Sequence, residues 1–491
     1  MSKKLPSARR KNSCFFGSSF LMFLFFISSF NGFSQINYEY AKSKNLNIGS
    51  YGRVGVGWSF DNGGAVGRKL NLNNMGSIGG RLEEQDYLEL APNLTFNPQK
   101  GDSTEIHVQI RLAVYSTSLT TIGNSTTSSV GGLTFAMPEI YAEARNIRGS
   151  GLNIWIGSRF YRGADAHIAD HFYFNDHSGQ GVGVEYKKSR LSTIFVASVD
   201  TTSTLPPYFY LNFKTGTPSA ALSQRTVFVG EHDFDIDENN SITALAEYHH
   251  MEEGEDHTIP EDANPDVSDA ENFPTDYGYV LGVRYHRNLK KLMPGSFNDF
   301  TLRYGGGIAN GGDGGLSKTW LTFGAPDENT LRYKNAYSVA LVNHSVFNFS
   351  DNYTLNAYVI YTNSKGGAAS NNLAPTYFEQ EVYNKKIDFT VGTRHQFYLK
   401  DYFLLLAELH YSQRKDGTNP YASMTKLSFA PVLVPTGQRD FWARPHLRFV
   451  ASLAYYNDFA KETLYSPYLQ FAGEKQWGYY FGFKAEWWLW K

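Results

Sequence analysis

The chain has one cysteine in 491 residues, Cys14. It lies inside the N-terminal stretch treated below, so the remainder carries no thiol. That excludes a disulfide scaffold, a cysteine zinc site and a thiol nucleophile together. An excess of one charge is missing as well: 45 Lys and Arg stand against 47 Asp and Glu, a formal net charge of −2. A nucleic-acid partner is not suggested by that balance. Beyond residue 35 there is no apolar run long enough for a transmembrane helix, which needs roughly 20 residues.

The first 35 residues differ from the rest. Lys3, Lys4, Arg9, Arg10 and Lys11 precede the apolar run CFFGSSFLMFLFFISSF (residues 14–30), which gives way to NGFSQ (residues 31–35). A basic, then apolar, then small-residue order is expected of a secretory signal peptide, which places the mature domain at 36–491. Cys14 opens the apolar run, whereas an acylated lipoprotein cysteine would follow it. Removing five of the 45 basic residues leaves 40 against 47 acidic ones, a formal charge of −7.

What the chain does have is aromatic side chains and glycine: 36 Phe, 33 Tyr and 8 Trp beside 45 Gly. It also alternates with period two. Ile106, Val108, Ile110, Leu112 and Val114 share one face of a strand, with His107, Gln109 and Arg111 on the other. Residues 277–285, 388–397, 441–455 and 481–489 repeat the pattern. A soluble sandwich alternates too, so the hidden face must decide. In 441–455 the apolar set is Phe441, Ala443, Pro445, Leu447, Phe449, Ala451, Leu453 and Tyr455. That band exceeds the roughly 9 to 11 residues that cross a bilayer. Opposite it stand Trp442, Arg444, His446 and Arg448, poor sandwich core but acceptable in a water-filled lumen. The expected fold is therefore all-β, a transmembrane antiparallel β-barrel with Leu447, Phe449 and Ala451 toward lipid. Polar or Gly-rich stretches at 116–132, 252–276, 305–315 and 362–374 are expected to connect strands, and an aromatic strand closes the chain just before Lys491.

One stretch has another character. RFYRGADAHIADHFYFNDHSGQG (residues 159–181) mixes Arg, Asp and His with aromatics, and alternating strands flank it at 152–160 and 182–186. Such a loop between two barrel strands is expected to fold inward as a constriction. Asp165, His167, Asp170 and His171 offer metal-donor atoms, yet their spacing matches no zinc motif. A solvated surface loop without a specific role is the plainer reading. Ser178 with His167 or His177 would suit an outer-membrane hydrolase, but no nucleophile-elbow pattern surrounds them.

Four blocks carry a family resemblance: GSYGRVGVGW (residues 49–58), residues 159–181, FWARP (residues 441–445) and the closing strand. A fifth, weaker one is GSFNDF (residues 295–300). In these the chain resembles the maltoporin family of sugar-selective porins. The resemblance implies a homotrimer in the bacterial outer membrane, with barrels of about 18 strands and a third loop folded inward. It implies passive diffusion of oligosaccharides such as maltodextrins, with no enzymatic activity, cofactor or metal. It maps an aromatic row onto Tyr51, Tyr87, Phe297, Trp442 and Trp488. A polar track falls on Arg53, Arg81, Glu89, Asp165 and Asp170, and the pinch on Tyr173. His171 looks like a one-residue insertion, which leaves Phe172 as the other pinch residue. The stretch between Tyr115 and Met137 contains no Trp to match the family's aromatic from a neighbouring subunit. Two basic track positions fall on Ala142, near Arg145, and on Gly163, beside Arg162. A general porin without sugar preference is the alternative function.

Alternation gives an independent check on the row. Tyr51 shares a face with Arg53, Tyr87 with Glu89, Phe297 with Asp299, Trp442 with Arg444, and Trp488 with Glu486. Aromatics of a lipid-facing girdle would fall on the apolar face instead.

Overall fold

An alternating strand has one face for lipid and one for water only if its sheet closes on itself, since an open edge would leave backbone groups unpaired in hydrocarbon. The computed structural model describes residues 45–61, 67–96, 101–116, 133–160, 162–174, 177–196, 210–211, 218–219, 225–253, 274–311, 322–327, 329–330, 332–372 and 383–489. The expected signal peptide, at 1–35, lies outside the described residues.

Among the described residues, eighteen strands form one sheet. In chain order they are β1 (Leu46–Trp58), β2 (Tyr87–Phe96), β3 (Glu105–Ser116), β4 (Leu133–Arg145), β5 (Leu152–Arg159), β6 (Gly179–Tyr186), β7 (Ser189–Val196), β8 (Arg225–Asp235) and β9 (Asn240–Met251). The second half comprises β10 (Asp276–Asn288), β11 (Phe297–Gly307), β12 (Tyr337–Ser350), β13 (Tyr353–Lys365), β14 (Lys385–Lys400), β15 (Phe403–Asp416), β16 (Ala422–Leu433), β17 (His446–Tyr456) and β18 (Trp477–Leu489). Each pairs antiparallel with the next. β18 then pairs with β1, Trp488 opposite Tyr51 and Glu486 opposite Arg53, which closes the barrel. Connections alternate between short turns, such as 187–188, 351–352 and 401–402, and long stretches, such as 59–86, 160–178 and 457–476. Short turns at one rim and long loops at the other are the asymmetry of outer-membrane barrels.

The two faces separate as the alternation requires. On β17, Leu447 and Tyr455 are 46% and 40% exposed while His446, Arg448, Val450 and Ser452 are buried. Leu447, Phe449 and Ala451 therefore face outward, where lipid covers them. The strand is shorter than its alternation suggested, however. It begins only at His446, because Pro445 has no N–H to give the ladder, and Phe441 and Ala443 turn inward to 2% and 4% exposure. Similarly, residues 305–307 complete β11 and residues 362–365 complete β13 instead of belonging to loops.

Residues 162–174 of the expected loop do fold inward, and a second segment joins them. Leu70, Leu72, Met75, Ile78 and Leu82, in the connection after β1, are buried in one apolar cluster with Ile168, Ala169 and Tyr173 and with wall residues such as Tyr358, Leu406 and Met424. Burying apolar side chains inside a polar-walled lumen needs the backbone polar groups satisfied. The wall supplies the partners. Tyr456 donates to the Leu70 carbonyl (2.6 Å), Arg414 to that of Asn74 (3.1 Å) and Lys484 to that of Glu84 (3.0 Å), while Tyr358 accepts from the Gly79 amide (3.2 Å). Gly79 and Gly80 have φ of +98° and +102° and lie so near Ser412 and His410 that a Cβ would sit 2.9 and 2.8 Å from them. Only glycine fits that approach.

The firmest tie is Lys426, which is fully buried. Its Nζ reaches Asn71 Oδ1 at 2.7 Å, Glu83 Oε2 at 2.9 Å and the Gly80 carbonyl at 3.3 Å. Lys426→Met would strand the Glu83 carboxylate, at a cost of about 3 to 5 kcal/mol for a broken buried pair. The expected outcome in planar bilayers is higher and noisier single-channel conductance as the segment loosens. Wild-type conductance in this variant would mean the segment does not depend on Lys426.

Candidate functional site

The walls of the lumen begin with strand parity. On β1 the inward residues include Tyr51 and Arg53, on β2 Tyr87 and Glu89, and on β18 Lys484, Glu486 and Trp488, so neighbouring strands set these groups side by side. The Tyr51 and Tyr87 rings lie 5.8 Å apart. Trp488 is opposite Tyr51 in the ladder, and Trp442 stands 6.5 Å from Trp488. Trp442 precedes β17 and belongs to no strand, yet at 39% exposure it is the open end of this series. Four of the five expected aromatics thus come together. Phe297 does not join them: it is on β11, across the barrel, with His344 at 5.5 Å and His286 at 6.0 Å.

Charged groups run beside the rings in pairs. Arg53 meets Glu84 at 2.9 Å, donates to the Gln85 carbonyl at 2.9 Å and lies 5.1 Å over the Tyr87 ring. Glu89 accepts from Tyr87 and from Arg111, and Arg111 also holds Glu139 at 2.9 Å. Arg444 sits 4.0 Å over the Trp488 ring and, with Arg448, binds Glu486 at 3.1 and 3.0 Å. Glu84, Arg111, Arg444, Arg448 and Glu486 are not among the residues mapped by resemblance. Parity marks the strand-borne ones as inward, but Glu84 belongs to the infolded segment that alternation cannot see.

Arg81 is only 6% exposed, which makes it a junction more than an open wall residue. Its Nε binds Glu84 at 3.0 Å and its other nitrogens donate to the Tyr51 hydroxyl (2.9 Å), His167 Nδ1 (3.1 Å) and the His167 carbonyl (3.2 Å). Because Nδ1 accepts there, the His167 proton belongs on Nε2, which faces Glu486 at 3.8 Å. Burial, reinforced by the Arg81 charge, lowers His167 to about 4, so the ring is neutral at physiological pH. It packs edge-on against Trp488 at 5.2 Å. Burial opposes ionisation of Glu84, but Arg53 and then Arg81 hold it well below the usual carboxylate range.

The constriction segment is fixed at several points. Asp165–Ala166 pairs with His171–Phe172 in a small ladder around the buried Ile168 and Ala169. Tyr173, expected to pinch the channel, is 3% exposed and binds His344 across the lumen at 2.5 Å. It fastens the loop to the far wall, and His177 makes a second tie at Glu247 (2.8 Å); Phe172 is the partly exposed neighbour. Asp170 lies 3.9 Å from Arg81 and is 40% exposed in its side chain. His167 and His177 go to different walls.

The closed eighteen-strand barrel, apolar outside and filled with paired charges and two infolded segments inside, defines an outer-membrane porin. The chain matches the LamB porin family over residues 46–489 and belongs to that family. Solved structures with low similarity include OccK8 (OprE) of Pseudomonas aeruginosa, 10% identical over 90% of this chain and 98% of that one, TM-score 0.44. OmpF of Salmonella typhi, in complex with daunomycin, is 9% identical over 90% and 98%, TM-score 0.39. OmpT of Vibrio cholerae is 9% identical over 92% and 100%, TM-score 0.37.

Asp165 supplies a pH test of the lumen. Burial first, then the adjacent Asp170 carboxylate, pushes it up to about 7. It is protonated below that value and ionised above it, so raising the pH adds one negative charge to each lumen. Reversal potentials in a salt gradient should shift toward cation preference between about pH 6 and about pH 8. Asp165→Asn should abolish the shift; an unchanged shift would place the titrating group elsewhere.

Proposed function

We propose that this porin is sugar-selective, passing linear oligosaccharides of the maltodextrin class by passive diffusion. In this reading the signal peptide at 1–35 is removed, residues 36–491 form the barrel and three copies assemble. The observation that carries it is the series Trp442, Trp488, Tyr51 and Tyr87 on the polar wall, with guanidinium groups over three of its rings.

A pyranose has an apolar C–H face and a rim of hydroxyls. Aromatic rings receive the face, while Arg and carboxylate groups exchange hydrogen bonds with the rim. Arg53, Glu89, Asp165 and Asp170 act as the polar track, and Arg81 holds Tyr51 and His167 in place. Phe297, on the opposite wall, stands outside this series. The loop at 159–181 sets the narrow point, with Tyr173 holding it there. Successive weak sites allow a sugar to enter and also to leave, which transport requires. Diffusion of this kind needs no cofactor or catalytic group.

Bilayer conductance titrated with maltodextrins tests the reading. Wild type should show sugar-dependent block. Trp442→Ala and Trp488→Ala should each weaken it roughly three- to tenfold, the scale of one aromatic contact, while ion conductance stays equal or rises. Sugar-independent current in wild type would leave a general pore.

A further inference from the structure

The aromatic series does not stop at Tyr87. Tyr115, the penultimate residue of β3, lies directly opposite it in the ladder, with ring centroids 6.0 Å apart and planes within 26°. It has the parity of Arg111, Gln109 and His107, so it faces the lumen, where it is partly exposed. The intervening Leu112 is 45% exposed on the lipid side. A girdle role is excluded by that orientation. From the lead-in to β17, through β18, β1 and β2 to β3, five rings now occupy successive wall positions.

Position makes Tyr115 an end of the series. β3 finishes at Ser116, at the rim of the long connections. The next strand offers Thr134 opposite Tyr115, not another ring. Hydrogen-bonding groups accompany it as they do the other members. Arg111, on the same face, joins Glu89 to Glu139 and lies 5.3 Å over the Phe160 ring.

Resting on the sugar-porin reading, we propose that Tyr115 is an additional stacking site for a pyranose unit, the first of these five rings met by a linear oligosaccharide entering from the long-connection rim. A chain long enough to lie on all five rings then gains one contact that a short sugar gains only by occupying that end. Tyr115 is thereby a determinant of preferred sugar length and of entry rate from one side.

The test is current-noise analysis of single pores with maltodextrins from disaccharide to heptasaccharide, added to one side at a time. Tyr115→Ala, and Tyr115→Leu as a bulkier ring-free variant, should lower heptasaccharide binding roughly threefold to tenfold. Entry should slow chiefly from the long-connection side, with disaccharide binding close to wild type. Tyr115→Phe should restore both. Wild-type heptasaccharide binding and entry in the ring-free variants would overturn this proposal alone. Loss that is equal for all lengths and both sides would also overturn it, by assigning Tyr115 to support of Tyr87. A wild-type pore that no sugar blocks would overturn it together with the reading on which it rests.

Discussion

Arg81 is the contact through which the interior is assembled. One guanidinium ties the segment after β1 to itself through Glu84, to the β1 wall through Tyr51, and to the constriction loop through His167. Without a shared partner, two infolded segments in a wide barrel would have to be ordered separately, each losing conformational entropy for its own contacts. Their common apolar cluster and this common cation order them together. Charge alone does not explain the choice of residue: the planar, many-donor guanidinium reaches three elements at once, which a lysine ammonium cannot do with the same geometry.

That assembly determines where the passage can be. Leu70 to Leu82, with Ile168, Ala169 and Tyr173, packs against β12 to β17 and against Tyr480 of β18, so the side of the lumen that those strands line is filled. On the wall made by β18, β1, β2 and β3, Trp488, Tyr51, Tyr87 and Tyr115 stay partly exposed. A solute is thereby directed along the aromatic wall. Selectivity then depends as much on what fills the barrel as on what lines it.

The barrel and its lipid face are legible in the sequence, since period two is a local property of each strand, and the inward loop is legible in its mixture of charged and aromatic residues and in the family resemblance. The failures have local causes as well. At 441–445 alternation continued through a proline, and the strand did not. The segment at 67–86 shows neither helical nor strand periodicity, and its scattered Leu70, Leu72, Met75, Ile78 and Leu82 make sense only against side chains hundreds of residues away. The resemblance points to Tyr173 or Phe172 as the pinch but not to the surroundings of Tyr173, because a sequence does not show that His344 stands opposite it. Four of five mapped aromatics assemble because parity and ladder register fixed them; Phe297 had the right parity on a distant strand.

The central claim is that oligosaccharide travels along Trp488, Tyr51, Tyr87 and Tyr115 on the β18 to β3 wall, beside the side filled by the infolded segments. Cryo-electron microscopy of the full protein with bound maltoheptaose tests it most directly. The account predicts sugar density stacked over Trp488, Tyr51 and Tyr87 with the 67–86 segment unmoved. Density lodged on the β12 to β16 side, or appearing only after that segment leaves the lumen, would contradict it.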